Sequence, residues 1–289
     1  MKLIQSKVEY LPQENGIEGI YKMIEAAGRT AYNSQDKITP TSAKDFVDRM
    51  IKSKHGASLE HGTVYLAIPY IDGETLSHYR GVAGKYNEIE FTKYSKVAMM
   101  RGTHNYVTTN YRVLVENSWL DDLQYLCFPT EFHEKRYTFR FTCSRAIAQE
   151  LTRHRVFSFL MESQRYINYS KERHGGEITF IKPSWEKEVL FDANLHLYNA
   201  LYAAEISYFD LLDNGATPQQ ARDVLPNATK TELVVTGFSS DWKHLLDLRL
   251  FEKTGKVAPD MKNLMEKLKT ASEEAGIWDD IMSKPSKFE

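Results

Sequence analysis

Residues 137–142 read YTFRFT, a run rich in β-branched and aromatic side chains, and the period-2 spacing is that of a strand with one face buried. Two upstream runs have the same character, 63–68 (TVYLAI) and 105–114 (NYVTTNYRVL). Outward from these strands the period changes. Residues 17–31 space Ile17, Ile20, Met23, Ile24 and Ala27 along one helical face, and a second helix starts at an N-cap near Thr41 with Phe46, Met50 and Ile51 inward. Beyond Pro183, Leu190, Leu197, Leu201, Ala204, Tyr208 and Leu212 share a face that ends at Gly215, which predicts the longest helix of the chain. Thr217 and Pro218 then act as N-cap and first residue of a short helix that carries Ala221 and Arg222 and stops at Pro226. Helices over 239–251 and about 259–275 complete the pattern, the last of them closing the chain. Helices, then strands, then helices predict an α+β pattern and not a doubly wound sheet, over a length that fits one large domain or two small ones.

Composition narrows the function classes. The 289 residues are 42% hydrophobic and 26% charged, ordinary globular usage that excludes a disordered or collagen-like chain. A net charge of −2 argues against a globally basic nucleic-acid binder. Cys127 and Cys143 have no metal-type spacing and suit a reducing compartment. The first residues lack an apolar signal core, and no stretch reaches the ~18 apolar residues of a membrane span. A soluble, cytoplasmic protein with no membrane partner is expected.

The chemistry concentrates in residues 150–166, ELTRHRVFSFLMESQRY. Arg153, Arg155 and Arg165 fall within 13 positions, with Ser158 and Ser163 between them. Guanidiniums bind phosphate bidentately while hydroxyls and backbone N–H groups complete a cradle, so the cluster fits an anion. Taken alone, the spacing leaves an exposed salt-bridge cluster open.

Arg153-His154-Arg155 followed after seven residues by Ser163 resembles the RHR-x7-S signature of flavin-dependent thymidylate synthases, and Ser163-Gln164-Arg165-Tyr166 continues as that family does. Residues 55–61 (HGASLEH) resemble its H-x-x-x-x-E-H segment, 221–226 (ARDVLP) its A-R-x-V-L-P, and 242–249 (WKHLLDLR) a segment ending in L-x-L-R. The blocks keep the family's order over about 15–70 and 137–270, leaving about 70–135 as an insertion. The resemblance implies that dUMP becomes dTMP, that methylenetetrahydrofolate gives the carbon, and that FAD reduced by NADPH gives the hydride. It also implies a single α+β domain over 1–289, an antiparallel sheet with flanking helices, and a homotetramer with sites shared between subunits.

By position, the same resemblance implies that Arg153, His154 and Arg155 hold FAD, with His55 and His244 lining the flavin and Arg153 bordering dUMP as well. Ser163, Gln164 and Arg165 would take the nucleotide phosphate together with Arg222, and Glu150 and Glu162 would belong to the dUMP site. Arg249 would contact the uracil ring and favour its N3-deprotonated form, since a fixed cation lowers the pKa of a neighbouring weak acid. The chemistry agrees. Uracil C5 is a poor nucleophile that gains from stabilised ring charge, and hydride transfer needs a redox cofactor. No GxGxxG is present, so a flavin would bind through Arg and His contacts and not on a Rossmann turn. The chain departs from many members at Glu150, where they have Gln, at Glu162, where the carboxylate stands one position later, and at Phe238, where Asn is common near the flavin.

Two other readings compete. Nine histidines raise a metal hydrolase, but none forms HExxH, and no metal site is expected. Seventeen tyrosines with the Arg cluster raise an RNA-binding module, but no RNP-type aromatic motif is present. Cys143, on the strand's inward positions, reads as a buried and inert thiol, which argues against a cysteine nucleophile.

Overall fold

The computed structural model describes residues 1–69, 83–87, 94–99, 104–165, 167–171 and 175–286. In chain order the elements that matter are β1 (Lys2–Ile4), β2 (Lys7–Tyr10), α1 (Gly16–Ala31), α2 (Ser42–Lys52), α3 (Gly56–Leu59), β3 (Thr63–Pro69), β4 (Lys96–Met99), β5 (His104–Asn110), α4 (Tyr111–Glu116), β6 (Arg136–Ser144), α5 (Arg145–Leu151), β7 (Ser158–Met161), β8 (Thr179–Ile181), α6 (Phe191–Asp213), α7 (Pro218–Ala221), β9 (Lys230–Phe238), α8 (Ser239–Arg249), α9 (Pro259–Glu274) and α10 (Trp278–Met282). The fold is α+β, as expected. An antiparallel sheet in the order β2-β6-β9-β7 forms its centre, beside a three-stranded antiparallel sheet, β3-β5-β4, and a parallel pair, β1-β8.

The two faces of the central sheet differ because β6 and β9 alternate in register. Tyr137, Phe139, Phe141 and Cys143 of β6, with Leu233 and Val235 of β9, sink into the main core against Trp242, Leu245 and Leu246 of α8 and Met261, Leu264 and Leu268 of α9. Trp242 is fully buried, 4.9 Å from the Phe139 ring and 4.5 Å from that of Phe157, pairs that add about 0.5–1.5 kcal/mol each beyond their burial. Thr138 and Thr236, paired across the strands, face the other way and share a 2.8 Å hydrogen bond; His61 Nδ1 lies 2.8 Å from the same Thr236 hydroxyl. Gly237 is required by packing: a Cβ there would lie 2.2 Å from the Phe157 ring.

Three expectations need correction, and one strand was missed. The strand foreseen over 105–114 stops at Asn110, whose side-chain carbonyl accepts from the Val113 N–H at 3.1 Å and so caps α4; an N-cap overrides the β propensity of the residues that follow. Leu190 is not on the buried face of the long helix. It is 82% exposed at the N-cap, and the helix turns Leu201, Glu205 and Tyr208 inward. The helix over Pro259–Glu274 is not the last, since α10 follows it. Strand β9, in the middle of the central sheet, was not foreseen: it is buried on both faces and its run is too continuous for a clear period of two. Within the segment read as an insertion, β4, β5 and α4 are formed, while 70–82, 88–93 and 100–103 lie outside the described residues, as does Tyr166 of the serine motif.

Candidate functional site

The RHR triplet occupies the turn between α5 and β7. Ser144 caps α5, its hydroxyl accepting from the Ile147 N–H at 3.4 Å, and the helix closes with the His154 N–H donating to the Leu151 carbonyl at 3.0 Å. Strand β7 then pairs with β9, and Phe157 is locked between Gly237 and Trp242. The turn therefore has both ends fixed in the main core, while Arg153 and Arg155 remain exposed. Among the described residues neither guanidinium has a hydrogen-bond or ion-pair partner.

His154 turns inward. Arg249, at the end of α8, donates its Nε–H to His154 Nε2 at 3.2 Å, a contact that joins positions 95 residues apart. A nitrogen that accepts carries no proton, so the imidazole is neutral with its hydrogen on Nδ1. Burial, then the charges of Arg249 and His244, depress the His154 pKa to about 4, which agrees with that assignment. Three of the expected residues, His154, His244 and Arg249, are thus gathered at one place by a turn and a helix.

A second group follows directly from β7. The Glu162 N–H donates to the Glu232 carbonyl at 2.8 Å and the Ser163 N–H to the Ala31 carbonyl at 3.0 Å, so this segment is held between β9 and the end of α1. Gln164 is buried beside Tyr169, and its side-chain nitrogen has no partner in hydrogen-bond geometry. Arg165 donates to the Gln219 side-chain oxygen at 3.3 Å, which links it to α7 and to the turn that carries Arg222. Among the described residues Arg222 has no ion-pair partner.

The remaining expected residues stand apart. His55 is exposed at the start of α3, with no hydrogen bond or ion pair to the groups above among the described residues, and Glu150 is half-buried on α5 with no side-chain partner, joined to the RHR turn only through its carbonyl, which accepts from the Arg153 N–H at 3.3 Å. Glu162 is 5% exposed, and its carboxylate accepts from Lys230 Nζ at 3.2 Å and from the Glu232 N–H at 3.3 Å. Burial holds the Glu162 pKa above the usual carboxylate range, partly opposed by the Lys230 charge. Lys230, Glu232 and Gln219 were not legible as site residues: they lie in no matched motif beyond ordinary polar positions, and only the pairing of β7 with β9 brings the first two to Glu162. Burial also pushes the Cys143 thiol up to about 12 and raises that of Cys127, the opposite of what a nucleophilic thiolate needs.

The donor set fits an anionic dinucleotide. Two exposed guanidiniums without partners and an Nδ1–H imidazole are all donors, and a pyrophosphate or a ring carbonyl presents only acceptors. Among the described residues no group of three His, Cys, Asp or Glu is placed to hold a metal ion, and no helix is long and apolar enough to cross a membrane.

Comparison with known proteins converges on one family. The flavin-dependent thymidylate synthase of Pyrococcus furiosus is 36% identical over 121 residues, 40% of this chain and 48% of that protein. That of Corynebacterium efficiens is 38% identical over 123 residues, 38% of this chain and 47% of its own length. The chain therefore spans about half the length of the curated relatives it matches. A solved structure of the UMP/dUMP methylase PolB from Streptomyces cacaoi bound with 5-Br dUMP is 17% identical, with a TM-score of 0.45 over 98% of this chain and 97% of that one. The family model described as thymidylate synthase complementing protein matches residues 98–272, well over half of the molecule. The chain belongs to the flavin-dependent thymidylate synthase family.

Proposed function

We propose that this protein methylates dUMP to dTMP, with methylenetetrahydrofolate as carbon donor and NADPH as the source of reducing equivalents. The observation that carries the reading is the Arg249–His154 contact, which sets a cation with no carboxylate partner among the described residues against the RHR turn. Arg153, His154 and Arg155 would hold FAD, with His244 beside them; bound there, the flavin supplies hydride chemistry that no side chain has. Arg249, anchored by Leu245 and Leu246, presents a fixed positive charge to the uracil ring, where negative charge develops as C5 attacks. Ser163, Gln164 and Arg165 bind the phosphate, with the buried Gln164 amide set beside Tyr169.

Two observations support a site completed by another copy. Among the described residues no hydrogen bond or ion pair joins the exposed His55 to the RHR turn, and α6 carries an exposed apolar stripe, Phe191, Leu195, Tyr202 and Ile206, suited to association. A homotetramer acting in the cytoplasm, built on one domain with its insertion at about 70–135, completes the proposal. The test is dTMP formation by flavin-loaded protein given dUMP, methylenetetrahydrofolate and NADPH. Mixing inactive Arg165→Ala and Arg222→Ala subunits restores part of that activity if the site is shared, and no recovery after verified exchange assigns it to single chains. Colourless protein that binds RNA would favour the rival module instead.

A further inference from the structure

The residues after β7 are held by a charge cluster that no sequence motif marks. Lys230, first residue of β9, places its Nζ 3.2 Å from Glu162 and 2.9 Å from Glu232. Glu232 accepts in turn from the Gln35 amide at 3.3 Å, so the cluster reaches the loop that follows α1. Glu162 and Lys230 line a cleft with Asn33, Tyr169 and Thr179, and the Glu162 carboxylate spends one oxygen on both Lys230 and the Glu232 N–H. Three charged groups are thus drawn together at the point where the chain leaves the sheet and enters Ser163, Gln164 and Arg165.

We propose that Lys230 is a positioning residue for nucleotide binding: by neutralising and fixing buried Glu162, it sets the path of Ser163, Gln164 and Arg165. This rests on the reading of those three residues as the phosphate site. The physical reason is the asymmetry of buried ion pairs. Two carboxylates around one ammonium leave net negative charge, which the lysine must hold; take the lysine away and Glu162 and Glu232 repel each other across the β7–β9 junction. The junction relaxes where it is not covalently fixed, in the residues after Met161. Lys230 itself gains: burial works against its ammonium, but Glu162 and Glu232 outweigh that and hold its pKa above the ordinary lysine range.

Lys230 acts through Glu162, so its effect must vanish when Glu162 carries no charge. The experiment measures equilibrium binding of dUMP to flavin-loaded protein, with amide hydrogen exchange over 161–165 followed without nucleotide. Lys230→Met is expected to weaken dUMP binding about tenfold or more and to speed exchange at Ser163 and Gln164, as loss of one partner in a coupled pair does. Lys230→Arg, which keeps the charge, is expected to restore most of the affinity. In a Glu162→Gln background Lys230→Met is expected to leave dUMP affinity as it is in Glu162→Gln alone. Unchanged dUMP affinity and unchanged exchange in folded Lys230→Met overturn the proposal, as does a double variant whose losses simply add. Should Lys230→Met fail to fold, the same comparison is made with Lys230→Gln, and failure of Lys230→Arg to bind better than the neutral variant also overturns it. Wild-type protein that binds flavin but no dUMP would instead sink the functional reading; the exchange arm still decides whether Lys230 fixes the segment.

Discussion

Two clusters of charge lie at opposite ends of β7, and they are built on opposite principles. Before the strand, Arg249 contacts a neutral histidine whose chain neighbours Arg153 and Arg155 point to solvent, and none of the three guanidiniums has a carboxylate partner among the described residues. After it, Lys230 is matched by Glu162 and Glu232, largely out of solvent. Cations left without carboxylates next to a depressed histidine are poised for an anionic ligand, whereas a half-buried and paired lysine stabilises backbone geometry. The difference separates groups that meet ligands from groups that hold the frame.

Removing the unpaired end has the largest expected effect. His154→Ala with Arg155→Ala is expected to yield colourless protein; a folded double variant with full flavin occupancy breaks the assignment. Next is Arg249→Ala, expected to lower kcat for dTMP formation by about 10²-fold or more while NADPH oxidation by the bound flavin persists. Arg249→Lys recovers only part, because an ammonium lacks the planar fork that faces a carbonyl and a ring nitrogen together. Near-normal dTMP formation in folded Arg249→Ala returns this residue to a structural role at a helix end, where it would be worth under about 1 kcal/mol.

The neutral state of His154 gives a smaller effect, with a definite sign. Its folded pKa of about 4 lies below the unfolded value near 6.5, so between those limits the unfolded chain takes up a proton that the folded chain refuses. Stability attributable to this residue is therefore present above pH ~6.5, falls as pH drops through the window, and levels off below about 4. Since the ring is partly exposed, the slope is a fraction of about 1.4 kcal/mol per pH unit. Denaturant titrations at pH 7, 6 and 5 are expected to show a shallower decline for His154→Asn than for the wild type; parallel declines contradict the assignment. The smallest effect concerns sulfur: Cys127→Ala with Cys143→Ala is expected to keep dUMP-dependent activity, at a stability cost of about 1–2 kcal/mol from the cavity left at Cys143. A folded but inactive double variant would revive covalent catalysis through a thiol.

The sequence exposed one end of β7 far better than the other. RHR is contiguous and Arg249 closes a recognisable helix, so both are legible in the sequence, although nothing in the pattern places Arg249 against His154 95 residues earlier. The helices over 16–31, 42–52 and 259–274 were visible because their apolar residues recur with a helical period. Strand β9 was hidden by burial on both faces, and with it the Lys230–Glu162 pair, which depends on register between strands 68 residues apart. Asn110 shows a different limit, a single cap turning a β-rich run into a helix.

The central claim is that the unpaired cations around His154 serve a flavin-dependent reaction on dUMP, and release of tritium from dUMP labelled at uracil C5 tests it most directly. With methylenetetrahydrofolate and NADPH, purified protein is expected to release tritium only when it carries flavin, and Arg249→Ala is expected to suppress that release while remaining yellow. Flavin-loaded wild-type protein that binds dUMP yet releases no tritium would contradict the account.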